Sequence, residues 1–233
     1  DDGVTTHHSD HIFISNSHFR DPSGRAHKRG FSNSNGFEID DGSRNVWLVN
    51  NSSSRCFGGV EIKAHETSSA ASGVHISGHL SVNDNRAFNF RHIGHHQPGD
   101  ERSRSAFTIS AQKLVAIHPV RTELYRNSTP RALVVSGYSN AAINRFLFAG
   151  DPAYDYRQQP VASVQFRAQN IVLANGRIRG FKSAGTDIAV ASDQNNVRNV
   201  LLKNIISRKS SSGMIDCGQD VSTVRLENVL RLE

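Results

Sequence analysis

Eight short alternating runs recur along the chain, and their recurrence limits the fold more than any single motif does. DGVTTHH starts at Asp2, GFEIDD at Gly36, GVEIKAH at Gly59 and NFRHIGHH at Asn89. ALVVSG follows at Ala132, SVQFRAQ at Ser163, DIAVAS at Asp187 and MIDCGQ at Met214. Their first apolar residues are Val4, Phe37, Val60, Phe90, Leu133, Val164, Ile188 and Ile215, at intervals of 33, 23, 30, 43, 31, 24 and 27 residues. Alternation of apolar and polar residues gives each run one inward and one outward face. A second run follows each first one. HIFISN, NVWLVN, NIVLAN, NVLLKN and TVRLEN end at Asn16, Asn50, Asn175, Asn204 and Asn228. A shorter third run (HLSV, FLFAG, RIRGF, IISR) completes several units. Asparagines that share one column are the pattern of side-chain amides bonding along a stack.

Helix-period stretches are nearly absent, and the Asn-Gly type of hairpin turn that a sandwich needs is scarce. The units therefore predict an all-β fold: a right-handed parallel β-helix, or β-solenoid, of about eight coils, with residues 1–233 as one domain. The opening DDGV already reads as part of a regular element, so the expectation is a piece of a longer protein. The longest insertions, 94–106, 118–130 and 149–161, are rich in Gly, Pro, Asp and Arg, and such loops commonly build a solenoid's binding face.

Stacking then decides which side chains meet, because one column recurs about every 4.8 Å. The outward positions carry charge unevenly. His7, His8, Glu38, Asp40, Asp41, Glu61, Lys63, His65, Arg91, His92, His95 and His96 all fall in the first four runs. The last four show mostly Val, Ser, Ala and Gln there. A merely wet face has no reason for such a gradient, and clustered titratable groups mark sites. The net charge of +6 and pI of about 9.7 favour an acidic partner. Nucleic acid is not expected, because the aromatics, 7% of residues, do not interleave with basic residues as stacking platforms. No apolar stretch approaches the ~20 residues that span a membrane as a helix. Cys56 and Cys217 fit neither a disulfide framework nor a metal spacing. His95-His96 lacks a second ligand pair at zinc spacing, so neither metal nor cofactor is expected. His75, His79 and His118 read as surface or turn residues, Arg208 and Lys209 as a solvated edge, and Asp40-Asp41-Gly42 equally suits a tight turn.

The stretches DDGVTTHHS, NGFEIDDGSRNVWLVNN, GGVEIKAHE, NFRHIGHH and TPRALVVSGY resemble the pectate-lyase-like β-helix of bacteriophage tail proteins and tailspikes. Among these they are most similar to tailspike lyases that cut heparosan-type capsule, over about residues 1–190. The resemblance implies a homotrimeric protein of the virion tail. It would be extracellular, would sit beside other phage tail proteins and would depolymerise an acidic bacterial surface polysaccharide. By position, Glu61 and Lys63 match a Glu-x-Lys pair, and Arg91 matches an arginine one coil later. The tyrosine such a site should contain is missing, and Phe88 and Phe90 stand where it would fall.

Elimination next to a uronate carboxylate needs a group that neutralises the carboxylate, a base, and an acid for the leaving oxygen. Arg91 is expected to neutralise, Lys63 or His65 to act as base, and His92 or His95 as acid. His7, His8, Glu38, Asp40, His95, His96 and Arg167 are the expected substrate-binding residues. A glycoside hydrolase built on Glu38, Asp40 and Glu61 is the rival reading. A binding or structural tail module without catalysis is the third.

Overall fold

The computed structural model describes residues 2–20, 34–65, 68–92, 107–121, 128–191, 197–218 and 224–233. All strand pairs among them are parallel, and each unit contributes one strand to each of two stacks. The first stack is β1 (Val4–Thr6), β4 (Phe37–Ile39), β6 (Gly58–Ala64), β8 (Arg86–His92), β10 (Arg131–Ser136), β12 (Ala162–Gln165), β14 (Thr186–Val190) and β16 (Gly213–Asp216), in that order. The second runs from β2 (Asp10–Ser15) through β5 (Arg44–Ser54), β7 (Ser72–Val82), β9 (Phe107–Ile117), β11 (Ser139–Ala149), β13 (Gln169–Arg179) and β15 (Arg198–Arg208) to β17 (Val224–Leu232). Short β3 (His18–Arg20) also pairs with β5. This is the parallel β-helix of eight coils that the repeat predicts.

The expected third strand is not separate. It is the far half of an 11-residue strand bent at one left-handed residue. That bend column runs Asn16, Asn50, Gly78, Lys113, Arg145, Asn175, Asn204 and Asn228, all with φ between 51° and 80°. An earlier column, His11, Asn45, Gly73, Thr108, Asn140, Asn170 and Asn199, is also left-handed. Asparagine and glycine recur because they tolerate this conformation best. The amides add a ladder: Asn228 donates to Asn204, Asn204 to Asn175, and Asn175 to Asn144, at 2.8–3.0 Å. A second ladder joins Asn199, Asn170 and Asn140. Thr108 breaks the pattern, a β-branched residue at φ 65° beside Asn140 in the stack. Thr108→Asn should relieve that strain and extend the ladder. The expected gain is about 0.5–1.5 kcal/mol, a rise of roughly 2–5 °C in melting temperature. An unchanged or lower melting temperature would remove the strain argument.

Inside, Phe37, Val60, Phe88, Leu133, Ala162 and Ile188 stack in one column, with Ile39, Ile62, Phe90, Val135, Val164 and Val190 in the next. The sequence-derived column set Phe90 and Val164 one inward position too early. Phe88 and Ala162 occupy that register. Each inward position also has a bulkier or equally apolar neighbour two residues on, so either alignment gives a buried stripe.

The bend reverses the alternation. In β7, Val74 and Ile76 face inward, Gly78 turns the chain, and then His79 and Ser81 face inward while Leu80 is exposed. His79 is thus buried rather than at the surface, edge-on to Phe37 and Phe88. Its Nε2 meets the Ser53 hydroxyl at 2.9 Å, and Ser53 and Ser81 donate to Asp84 at 2.6 Å. Burial holds His79 neutral, with its pKa down to about 3, and raises Asp84 to about 6 against the hydroxyl and Cys56 donors. These groups fill the interior of the early coils with a sealed polar network. Neither Cys56 nor Cys217 is in a disulfide.

Candidate functional site

Glu38, Glu61, Lys63, Asn89 and Arg91 project from the outer face of β4, β6 and β8, and Asp40 follows directly on β4. An outer face is normally wet, yet Glu38 is 4% exposed, Asp40 5%, Glu61 0%, Lys63 6% and Asn89 0%. Buried charge persists only where it is paired. Lys63 Nζ lies 3.0 Å from Glu38 Oε2 and 3.7 Å from Asp40 Oδ2. Arg91 Nε donates to Glu61 Oε1 at 2.5 Å, and Asn89 donates to Glu61 Oε2 at 2.7 Å. Asn35 donates to Glu38 at 2.6 Å. In register, Glu61 pairs with Asn89 and Lys63 with Arg91. The expected alignment of Arg91 with Glu61 was thus two residues out, and it hid Asn89 altogether.

Burial alone would lower Lys63, but Glu38, Asp40 and Glu61 outweigh it and raise its pKa. A lysine held charged by carboxylates is a poor base. Held between Glu38 and Asp40, Lys63 is poorly placed to accept a proton.

At the C-terminal ends of the same strands the wall opens. Asp40-Asp41-Gly42 forms a tight turn, with Gly42 at φ 66°, and also delivers two buried carboxylates beneath two exposed imidazoles. His65 Nδ1 is 2.9 Å from Asp41 Oδ2 and 3.9 Å from Asp40 Oδ1. His7 Nδ1 is 3.8 Å from Asp41 Oδ2. The His65 main-chain N–H also donates to Asp41 Oδ1 at 2.8 Å. The side chains of His7 and His65 are 57% and 56% exposed. Burial raises Glu38 more than Lys63 pulls it down, and raises Asp40 more than the Asp41 main-chain N–H and Lys63 pull it down. Burial also pushes Asp41 up, but the His65 main-chain and ring contacts more than offset it and leave the carboxyl at about 2. Adjacent carboxyls pushed in opposite directions are what acid–base chemistry uses. His7, Asp40 and Asp41 also bring one donor atom each within 4.8 Å of one another, a spacing that one divalent cation could bridge.

Of the other expected site residues, His8 packs edge-on against His7 and against Gly42. His92 does not join the outer row. It is buried, in register with the core residue Ala64. Arg167 lies at the turn after β12, in coil six, away from the His7–His65 group. His95 and His96 lie outside the described residues. Apart from Asn89, the sequence reading missed Asn35, whose signal was only a small polar residue ahead of a strand.

No protein-family model matches the chain. It is 47% identical over 228 residues to the putative phage-related protein YobO of Bacillus subtilis (strain 168). It is 42% identical over 231 residues to the pre-neck appendage protein of Bacillus phage phi29, and 41% identical to that of Bacillus phage PZA. These matches cover 98% of this chain. The chain is similar to a segment of phage pre-neck appendage proteins. It spans only 26–28% of the length of these relatives. Crystal structures agree. The pre-mature phi29 gene product 12 superposes with a TM-score of 0.86 at 42% identity, covering 94% of this chain and 28% of that one. An N-terminal fragment of gene product 12 gives 0.89 at 41%, covering 99% and 37%. The phage-tail setting expected from the sequence is the setting of these appendage relatives.

Proposed function

We propose that this segment belongs to a virion appendage and cleaves an acidic polysaccharide of the bacterial surface at the His7–Asp40–Asp41–His65 opening. The observation that carries the reading is the exposed His65 imidazole hydrogen-bonded to the buried Asp41 carboxylate. A carboxylate in that position orients an imidazole and stabilises its protonated form. His65 would take a proton from the attacking water, and Asp40, raised by burial and lying at the opening, would supply the acid. The cations Lys63 and Arg91 are matched by the ionised Glu38 and Glu61, so the wall offers little free positive charge to a uronate. That balance supports hydrolysis over elimination. Elimination is the second reading, favoured by the partly exposed Arg91 guanidinium beside Glu61.

The two differ in product. Elimination leaves a C=C bond conjugated to the uronate carboxylate, and hydrolysis does not. The test is to incubate the protein with heparosan-type and other acidic capsular polymers, following chain length and ultraviolet absorbance together. Shortening without new absorbance is the expected result. Shortening with absorbance selects the lyase. No shortening of any polymer leaves a binding or structural role. Assembly as a homotrimer among other tail proteins belongs to the same proposal, supported by the resemblance to tailspikes and the appendage names of the relatives. Light scattering on the same sample that reports a monomer would exclude the trimer.

A further inference from the structure

A cavity of about 370 Å³ opens at the other edge of the first stack, between the turns that lead into β10 and β12. Its walls include Arg121 and Thr129 from one turn and Tyr154, Arg157 and Gln159 from the next. The Arg121 main-chain N–H donates to the Tyr154 hydroxyl at 3.0 Å, which ties the turns together. Tyr154 and Tyr156 pack edge-on at 4.9 Å and stiffen that wall. Arg157 and Gln158 are successive left-handed non-glycine residues, at φ 53° and 57°. Each such residue costs on the order of 1–2 kcal/mol, and strain of this kind gathers at binding sites.

Behind the wall the charge is out of balance. Arg131 donates to Gln159 Oε1 at 3.2 Å and to the Ser163 hydroxyl, both neutral acceptors. Among the described residues no carboxylate comes within ion-pair distance of it. Its neighbour in register is Arg86, whose buried Nε has no hydrogen-bond partner among the described residues. Glu61, the acid whose charge acts on Arg86, is already held by Arg91 and Asn89. Among the described residues Asp155 is the one carboxylate in the cavity wall. Behind Gln159, then, stand two adjacent, largely buried guanidiniums with which no described carboxylate pairs, and an anion in the cavity that Arg157 edges would offset their charge. Arginine also offers the planar fork that carboxylate and phosphate oxygens fit.

We propose that this cavity is an anion-binding subsite, taking one carboxylate or phosphate group of an acidic polymer between Arg121, Arg157 and Gln159, with Arg131 behind Gln159. It lies at the N-terminal ends of the strands in coils five and six, whereas His65 lies at the C-terminal end in coil three. The proposal shares the acidic partner with the reading above but not the cleavage chemistry. Calorimetric titration of the chain with glucuronate, with inorganic phosphate and with glucose as the neutral control tests it. One anion should bind at one site per chain with a Kd of about 1 mM, and glucose should not. Arg157→Gln should weaken that binding about tenfold or more, and Arg121→Gln likewise. His65→Ala should leave it unchanged, which separates failure of the cleavage site from failure of this one. Whichever anion binds more tightly identifies carboxylate or phosphate as the group recognised. Absence of saturable binding by either anion, or binding that both arginine variants retain in full, overturns the proposal.

Discussion

His65→Ala is expected to slow polymer cleavage by about 10²–10⁴-fold, the usual effect of removing a positioned acid–base group. The loss should fall on kcat, with KM nearly unchanged, because polymer affinity is spread over other residues. Folding should be untouched. The ring is more than half exposed, and the His65 main-chain N–H keeps its bond to Asp41 whatever the side chain. Asp41→Asn is the companion variant. It keeps the shape of the turn but can no longer stabilise an imidazolium, so it should lose much of the same activity. Kinetics on whichever acidic polymer is cleaved, with melting curves run in parallel, check both. Full activity in a normally folded His65→Ala protein would move the site away from this opening.

The pieces of this site differ in how readable they were. Glu61, Lys63 and His65 showed as alternate residues in GGVEIKAHE, and alternation survives stacking. An error of two residues in register leaves every side chain on its own face, whereas an error of one would flip them all. That is why Arg91 was assigned to the correct face while its register partner was not; His92, expected on the outer face, is buried in register with Ala64. Phe88 and Phe90 are equally good first apolar residues, and choosing the second brought Arg91, not Asn89, against Glu61. His79 was misread for another reason. Alternation counted straight through Gly78 fails, because a left-handed residue turns the strand and swaps its faces. The same columns of Asn and Gly that made the repeat visible mark where the count must restart. Burial of the outer face was not legible at all. A strand reading GGVEIKA alternates as a half-wet strand does, yet all seven residues are buried.

Glu61→Gln should be the most destabilising conservative change on this face, costing about 3–5 kcal/mol as the breaking of a buried ion pair does. For a domain of this size that lowers the melting temperature by roughly 6–20 °C. Glu61 is fully buried and accepts from Arg91 and Asn89. The amide itself can be accommodated, since the Asn89 Oδ1 is buried without a partner and, with the Asn89 amide turned over, can accept from the new NH₂ group. What is lost is the negative charge that balances Arg91 and lies in the field of Arg86 and Lys63. Arg91 is partly exposed and can turn toward water, which sets the lower end of the range. Arg86 has its Nε buried and cannot do so as readily, which sets the upper end. Glu227→Gln is the control. It breaks surface pairs with Lys203 and Arg225, whose side chains are exposed, and should leave the melting temperature essentially unmoved. Because Glu61 has no exposed surface, it cannot touch a polymer, so Glu61→Gln protein assayed well below its melting temperature should still cleave. A variant that melts with the parent but has lost all activity would reverse the assignment and make Glu61 a catalytic residue instead of the anchor of the wall.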